Sequence, residues 1–206
     1  MKTVAIISQK GGAGKTTLAL HLAVAAELDG RPTAIIDLDP QASASGWKDI
    51  RNGETPAVVS AQAARLSKVL EAAASHGAAL AIIDTAPHSE SAAIAAARAA
   101  DLILIPCRPA ILDLRAIGTT ADLAKLAGKP VCIILNAVPP RGTLADEATT
   151  AVQAYGIPVA PLRITHRAAY VHALTIGQTA QEYEPSGKAA LEISQLYRWT
   201  CTQVDL

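Results

Sequence analysis

The chain has 206 residues, of which 50% are hydrophobic and 17% are charged, and it contains 18 Lys+Arg and 18 Asp+Glu residues. This length and apolar content suffice for one α/β domain with a sizeable core, so we expect a single domain over residues 1–206. A formal net charge of zero excludes a global positive field, and an aromatic content of 3% without Phe argues against a base-stacking nucleic-acid surface.

Strand and helix patterns alternate along the chain. Apolar, β-branched runs predict strands near residues 3–8, 33–38, 57–59, 79–84, 101–106, 130–135 and 157–160. The segments between and after them predict helices near residues 15–29, 42–51, 60–76, 89–99, 113–127, 143–155, 165–177 and 187–203. Such alternation predicts an α/β fold, with a mostly parallel twisted sheet covered by helices on both faces.

The turn between the first strand and the first helix reads Lys10-Gly11-Gly12-Ala13-Gly14-Lys15-Thr16-Thr17. A glycine-rich turn in this context is typical of the nucleotide-binding loop of a P-loop NTPase. Its N–H groups and the helix N-terminus would face one anion, Lys15 would reach the outer phosphates, and Thr16 would hold magnesium. The usual loop has its first glycine at the position of Gln9, whereas this chain has a second lysine, Lys10.

Carboxylates follow the second and fourth predicted strands. Asp37 and Asp39 end one strand, where alternation would put both on one face, and Asp84 ends the other. The carboxyl ends of parallel strands line the ligand crevice, so we expect all three aspartates near Lys15 and Thr16. For a single aspartate, a helix N-cap or a turn is the default interpretation, but three at strand ends argue against it.

These segments resemble the deviant Walker A loop, switch I (Asp-x-Asp-Pro-Gln) and Walker B with switch II (Asp-Thr-Ala-Pro) of the ParA/MinD family of ATPases. The resemblance implies an ATP hydrolase that uses ATP and Mg²⁺, with Lys10, Lys15 and Asp39 as its catalytic residues. In that family the early lysine crosses a dimer interface to the phosphates of the other subunit. The resemblance further implies that Asp39 orients the attacking water and that Asp37 and Asp84 hold magnesium through its water shell.

The predicted strand near residues 130–135 is followed by Asn136. An asparagine can satisfy both a donor and an acceptor on an adenine edge. In the ParA/MinD family an asparagine at this place binds the base, so Asn136 is the candidate adenine contact. An asparagine that only begins a turn is the alternative.

The segment from Arg163 to Gly177 is similar to the family stretch Arg-x-x-Tyr-x-x-Ala-x-x-x-Gly. Family members use arginines of the C-terminal region to hold non-specific DNA once the ATP dimer has formed. Arg163 and Arg167 are therefore candidate DNA-binding residues, and they would lie on one helix face if the helix starts early. A solvated surface is the alternative interpretation.

The resemblance is strongest to small ParA-type partition proteins, and we expect no additional N-terminal DNA-binding domain. It implies an ATPase that changes from monomer to ATP-bound homodimer, binds non-specific DNA, and is stimulated by a centromere-binding, ParB-like adaptor protein. Two alternatives remain open. The chain could be a related ATPase that positions a protein cargo, or a metabolic P-loop enzyme of the dethiobiotin synthetase type.

The sequence also predicts where in the cell the protein is found. No apolar run approaches the roughly 18 residues of a membrane span, and the N-terminus lacks a signal-peptide pattern. Residues 191–206 contain one basic residue and end acidic, unlike the basic amphipathic helix with which MinD-type proteins bind membranes. We therefore expect a cytoplasmic protein without a membrane partner, nucleoid-associated when bound to ATP.

Overall fold

The computed structural model describes the backbone of residues 1–206 and all side chains except those of residues 111, 112 and 114–116. Within the described backbone, the strands form one seven-stranded sheet in the order β3-β2-β4-β1-β5-β6-β7, and neighbouring strands are parallel. The strands are β1 (Lys2–Ile6), β2 (Thr33–Asp37), β3 (Ala57–Ser60), β4 (Leu80–Asp84), β5 (Leu102–Cys107), β6 (Val131–Val138) and β7 (Val159–Thr165).

Helices connect the strands and cover the sheet. They are α1 (Lys15–Leu28), α2 (Ser43–Ile50), α3 (Leu66–Ser75), α4 (Glu90–Ala99), α5 (Ile111–Leu126), α6 (Leu144–Gln153), α7 (Ala168–Thr175), α8 (Ala180–Tyr183) and α9 (Lys188–Val204). The predicted α/β fold with a parallel sheet is thus confirmed.

Alternate residues of the inner strands face two separate apolar cores. On one face, Val4, Ile35 and Leu104 pack in a cluster with residues of α1 and α9. On the other face, Ile36 and Ile103 pack with residues of α4 and α5. Strands that are buried on both faces need apolar residues at every position, which explains their continuous hydrophobic sequence.

Strand register places the polar residues at one edge of the sheet. In the pairing of β2 with β4, Asp37 lies opposite Asp84, and in the pairing of β1 with β4, Ile6 lies opposite Asp84. The three strands therefore end at the same level, directly below the loop that leads to α1. This edge is where the sheet can bind a ligand.

The carboxyl-terminal third differs from the prediction. Strand β6 continues to Val138, and its pairing with Thr165 extends β7 well beyond the predicted residues 157–160. Helix α7 consequently begins at Ala168 rather than near residue 165. Helix α8 was not predicted, although Thr179 and Glu182 form a capping box, a signal that is visible in the sequence.

Gly177 lies where the end of α2 approaches the turn after α7. Its φ angle is +71°, and an added Cβ would lie 2.6 Å from the carbonyl oxygen of Ile50 and 2.7 Å from Cα of Arg51. The Arg51 guanidinium connects the two segments: it donates to the Gly177 carbonyl at 3.0 Å and to the Glu182 carboxylate at 2.7 and 2.9 Å. Only glycine allows this close approach of two backbone segments.

Replacing Gly177 should therefore destabilise the protein. We expect Gly177→Ala to lower the free energy of unfolding by about 2–4 kcal/mol, because it combines a left-handed φ with overpacking. Gly128→Ala is the matched control, because Gly128 also has a positive φ but nothing lies within 4 Å of its added Cβ. The control should lose about 1 kcal/mol in urea unfolding. Equal losses in the two variants would show that the contact with α2 is not tight.

Candidate functional site

The loop after β1 ends in Gly14, which precedes the first residue of α1. Its φ angle is +93°, and an added Cβ would lie 2.2 Å from Nδ2 of Asn136, so only glycine fits. No side chain caps the N-terminus of α1. Its first backbone N–H groups are therefore open to an anion bound in the loop.

Asn136 supports this loop from below. Asn136 is 7% exposed, and its Nδ2 donates a hydrogen bond of 2.7 Å to the carbonyl oxygen of Ala13. The contact fixes the loop backbone next to Gly14. One amide hydrogen of Asn136 is thus already used, and its contact with adenine stays a prediction.

Asp84 and Thr16 meet at the edge of the sheet. The Thr16 hydroxyl donates to Oδ2 of Asp84 at 2.6 Å, and Oδ1 of Asp84 is buried without a hydrogen-bond partner in the described structure. Burial raises the pKa of the Asp84 carboxyl to about 7, and the neighbouring Asp37 carboxylate adds to the shift, whereas the Thr16 hydrogen bond and Lys15 oppose it. A nearby cation would restore the charged form.

The oxygens at this edge suit magnesium. A buried carboxylate oxygen without a partner and a threonine hydroxyl are hard ligands of the kind that Mg²⁺ accepts. Among the described side chains, no group of three or more His, Cys, Asp or Glu residues could hold a metal ion by itself. Mg²⁺ usually keeps several waters and binds substrate phosphates, so one or two ligands from the protein are sufficient. The magnesium roles of Thr16, Asp37 and Asp84 stay predictions.

Asp37 has a structural role at the start of α2. Its Oδ2 accepts hydrogen bonds from the backbone N–H groups of Ala44 at 3.1 Å and Ser45 at 3.4 Å, in the first turn of α2. Asp37 therefore stabilises the first turn of α2, whose N-cap residue is Ala42, and its predicted magnesium role stays a prediction. Burial raises the pKa of its carboxyl, while hydrogen bonds from these amides and from the amide of Asp39 lower it.

Asp39 lies in the loop after β2. The expectation that strand alternation places Asp37 and Asp39 on one face is wrong, because β2 ends at Asp37. Instead, the chain folds back so that the Asp39 N–H donates to Oδ1 of Asp37 at 3.0 Å. The Asp39 carboxylate is partly exposed and accepts a hydrogen bond from the N–H of Gln41 at 2.9 Å. It lies at the lip of the site, where a water could approach it.

The two lysines of the loop differ in their surroundings. Lys15 is buried, and desolvation lowers the pKa of its ammonium group, although Asp84 and Asp39 oppose this shift. Its Nζ donates to the carbonyl oxygen of Lys10 at 3.4 Å. The side chain of Lys10 is partly exposed, and no hydrogen bond of its ammonium group is found among the described residues. Lys10 is therefore available to a partner, and its role across a dimer stays a prediction.

The two candidate DNA-binding arginines do not share a helix face. Arg163 lies in β7, and Arg167 is the N-cap residue of α7, so that expectation is wrong. Arg163 is half-exposed and forms a loose ion pair of 3.4 Å with exposed Asp146. Arg167 forms a tighter pair of 2.6 Å with Glu192 of α9. Of the two side chains, Arg163 is the more exposed, and the DNA-binding role of both stays a prediction.

Tyr170, the tyrosine of the family stretch, binds the same residue as Arg167. Its hydroxyl contacts the carboxylate of Glu192 at 3.0 Å, the same carboxylate that binds Arg167. Both motif residues therefore anchor α7 to α9, a structural role that the spacing in the sequence did not reveal.

The sequence argument gave no catalytic role to Arg108, which follows β5. The structure places its guanidinium beside Gly12 of the loop and pairs it with the buried carboxylate of Asp113 at 2.9 Å. Only the fold brings these distant segments together.

A model of the CobQ/CobB/MinD/ParA nucleotide binding domain matches residues 4–179. The chain belongs to this family. The resemblance to ParA/MinD ATPases is therefore confirmed, and the match includes the loop, all three aspartates and Asn136. No described helix is both long and apolar enough to cross a membrane.

Two relatives and one solved structure resemble the chain. It is 33% identical to maintenance of carboxysome distribution protein A of Gloeobacter kilaueensis over 208 residues, which cover 99% of this chain and 94% of that protein. It is 34% identical to protein ParA of Rhizobium radiobacter over 116 residues, or 55% of this chain and 51% of that one. The structure of MinD from Pyrococcus horikoshii, a complex with Mg-ADP, superposes with a TM-score of 0.76 at 20% identity, covering 97% and 95% of the two chains.

Asn136→Ala distinguishes support of the loop from recognition of adenine. If the amide holds the loop, the variant should bind both ATP and inorganic tripolyphosphate about tenfold more weakly, because an unpaired Ala13 carbonyl costs about 1–3 kcal/mol. Calorimetric titration measures both affinities, and exposed Asn52 provides the control Asn52→Ala. A loss confined to ATP would show that Asn136 mainly reads the base.

Proposed function

We propose that this chain is a Mg²⁺-dependent ATPase that acts as a nucleotide-controlled switch to distribute a protein cargo. The similarity to a carboxysome distribution protein along 99% of the chain carries this choice, because the similarity to ParA covers only 55%. The sequence alone favoured DNA partition and left protein cargo as an alternative. The relatives support the alternative.

The site has the parts that phosphoryl transfer requires. The loop amides and Lys15 would bind the phosphates, and Thr16 and Asp84 would hold Mg²⁺, which neutralises charge that develops on the phosphates. Asp39, at the lip of the site, would orient the attacking water. Such positioning and charge neutralisation account for most of the catalysis in this reaction class. Lys10 would complete the site of a second subunit and so make dimerisation depend on ATP.

Two variants test the switch. Asp39→Ala should bind ATP normally, hydrolyse it about 100-fold or more slowly, and accumulate as a dimer, because only the orientation of water is lost. Lys10→Ala should bind ATP yet stay monomeric, because it loses the contact between subunits. Phosphate release measures turnover, and sedimentation velocity measures the monomer–dimer equilibrium with ATP and with ADP.

The two variants have separate failure outcomes. An Asp39→Ala protein that loses ATP affinity in proportion to its turnover would make Asp39 a binding or folding residue. An ATP-bound Lys10→Ala protein that dimerises like the wild type would remove the contact of Lys10 with the partner subunit.

DNA partition is the second candidate, because part of the chain resembles a ParA protein. In that function the ATP-bound homodimer would bind non-specific DNA through Arg163 and respond to a ParB-like, centromere-binding adaptor. The pairing of Arg167 with Glu192 weakens its case as a DNA contact.

Deletion of the gene in its source organism separates the two functions. We expect clustered, unevenly inherited protein assemblies with normal plasmid and chromosome inheritance, because the cargo would lose its distributing ATPase. Fluorescence microscopy of tagged assemblies and plasmid-loss counts measure both outcomes. Plasmid loss or cells without a nucleoid, with evenly distributed assemblies, would favour DNA partition instead.

A further inference from the structure

Arg108 has a fixed orientation next to the glycine-rich loop of residues 10–17, here called the phosphate loop. Its Nε and Nη2 donate to the two carboxylate oxygens of Asp113 at 2.9 and 3.2 Å. Asp113 is only 5% exposed, and a buried carboxylate needs this partner because an unpaired buried charge is costly. The two parallel hydrogen bonds hold the plane of the guanidinium group.

The remaining edge of this guanidinium faces the loop. Nη1, which Asp113 does not use, lies 3.9 Å from the position that a Cβ of Gly12 would occupy. The side chain of Arg108 is 39% exposed, so a ligand can reach it. Nη1 carries two hydrogens, and no hydrogen bond from it is found among the described residues.

We propose that Arg108 is a further phosphate-binding residue, which donates from Nη1 to a phosphate oxygen of the nucleotide held by its own loop, and that Asp113 is its positioning residue. The inference rests on the proposed nucleotide-binding function. A planar, permanently charged group with a free N–H edge suits phosphate oxygens, and a lysine could not bind Asp113 with two bonds while reaching the ligand.

The test must separate binding from folding. Arg108→Ala alone would leave Asp113 charged and unpaired, so the informative protein is the double variant Arg108→Gln/Asp113→Asn, which removes both charges, keeps the shape of the side chain at 113 and leaves a shorter polar side chain at 108. Arg98→Gln is the matched control. Arg98 is exposed in the last turn of α4, which runs from the site towards the opposite edge of the sheet.

Calorimetric titration with ATP and ADP, each with Mg²⁺ and at two salt concentrations, gives the readout. The double variant should bind both nucleotides about tenfold or more weakly and with a smaller salt dependence, whereas Arg98→Gln should match the wild type. Thermal unfolding without nucleotide should show that the double variant is folded. A purely structural pair would not change the salt dependence of binding.

Unchanged affinity for ADP in the folded double variant would overturn the proposal, whether or not the ATP dimer becomes weaker. A weaker dimer alone would place the Arg108 contact between subunits. A wild-type protein that binds neither ATP nor ADP would overturn both this proposal and the proposed function.

Discussion

Asp84 places a carboxylate in the protein interior, and much of the site is arranged around it. The parallel register of β2, β4 and β1 leaves this group next to Asp37 and below the phosphate loop. One oxygen accepts a hydrogen bond from Thr16 and the other has no described partner. Burial, with the Asp37 carboxylate nearby, raises the pKa of this carboxyl to about 7, although the Thr16 hydrogen bond opposes the shift. Burying charge near charge is costly unless a cation compensates for it. This environment suits a cation, and the magnesium site here stays a prediction.

Asp37 links this site to the rest of the molecule. Its carboxylate accepts hydrogen bonds from the first turn of α2, and the other end of α2 packs against Gly177 in the turn after α7. Arg51 and Trp47 donate to carbonyl oxygens of that turn, at Gly177 and Gln178. Helix α2 is thus tied to the site at its start and to the carboxyl-terminal helices at its end. A displacement of its first turn must strain or break one of these contacts.

Arginines show how strongly tertiary partners determine what a charged residue can do. Arg163 and Arg167 are close in sequence, yet one lies on an edge strand and the other is bonded to Glu192. Arg108 was given no catalytic role from the sequence, yet it lies beside the loop because β5 is next to β1 in the sheet. Spacing along the chain predicts neither outcome, since the partners Glu192 and Gly12 are distant in sequence.

Local patterns were sufficient for the existence of the strands and of most helices, for the glycine-rich turn before α1, and for the edge of the sheet at which Asp37 and Asp84 lie. Those features depend on hydrophobic periodicity and on glycine conformation, which neighbouring residues determine. They were not sufficient for the length of β7, the hydrogen bonds between Asp37 and the first turn of α2, or the contact of Asn136 with the loop backbone. Each of these depends on hydrogen bonds between segments that come together only when the sheet has formed, so the tertiary structure alone decides them.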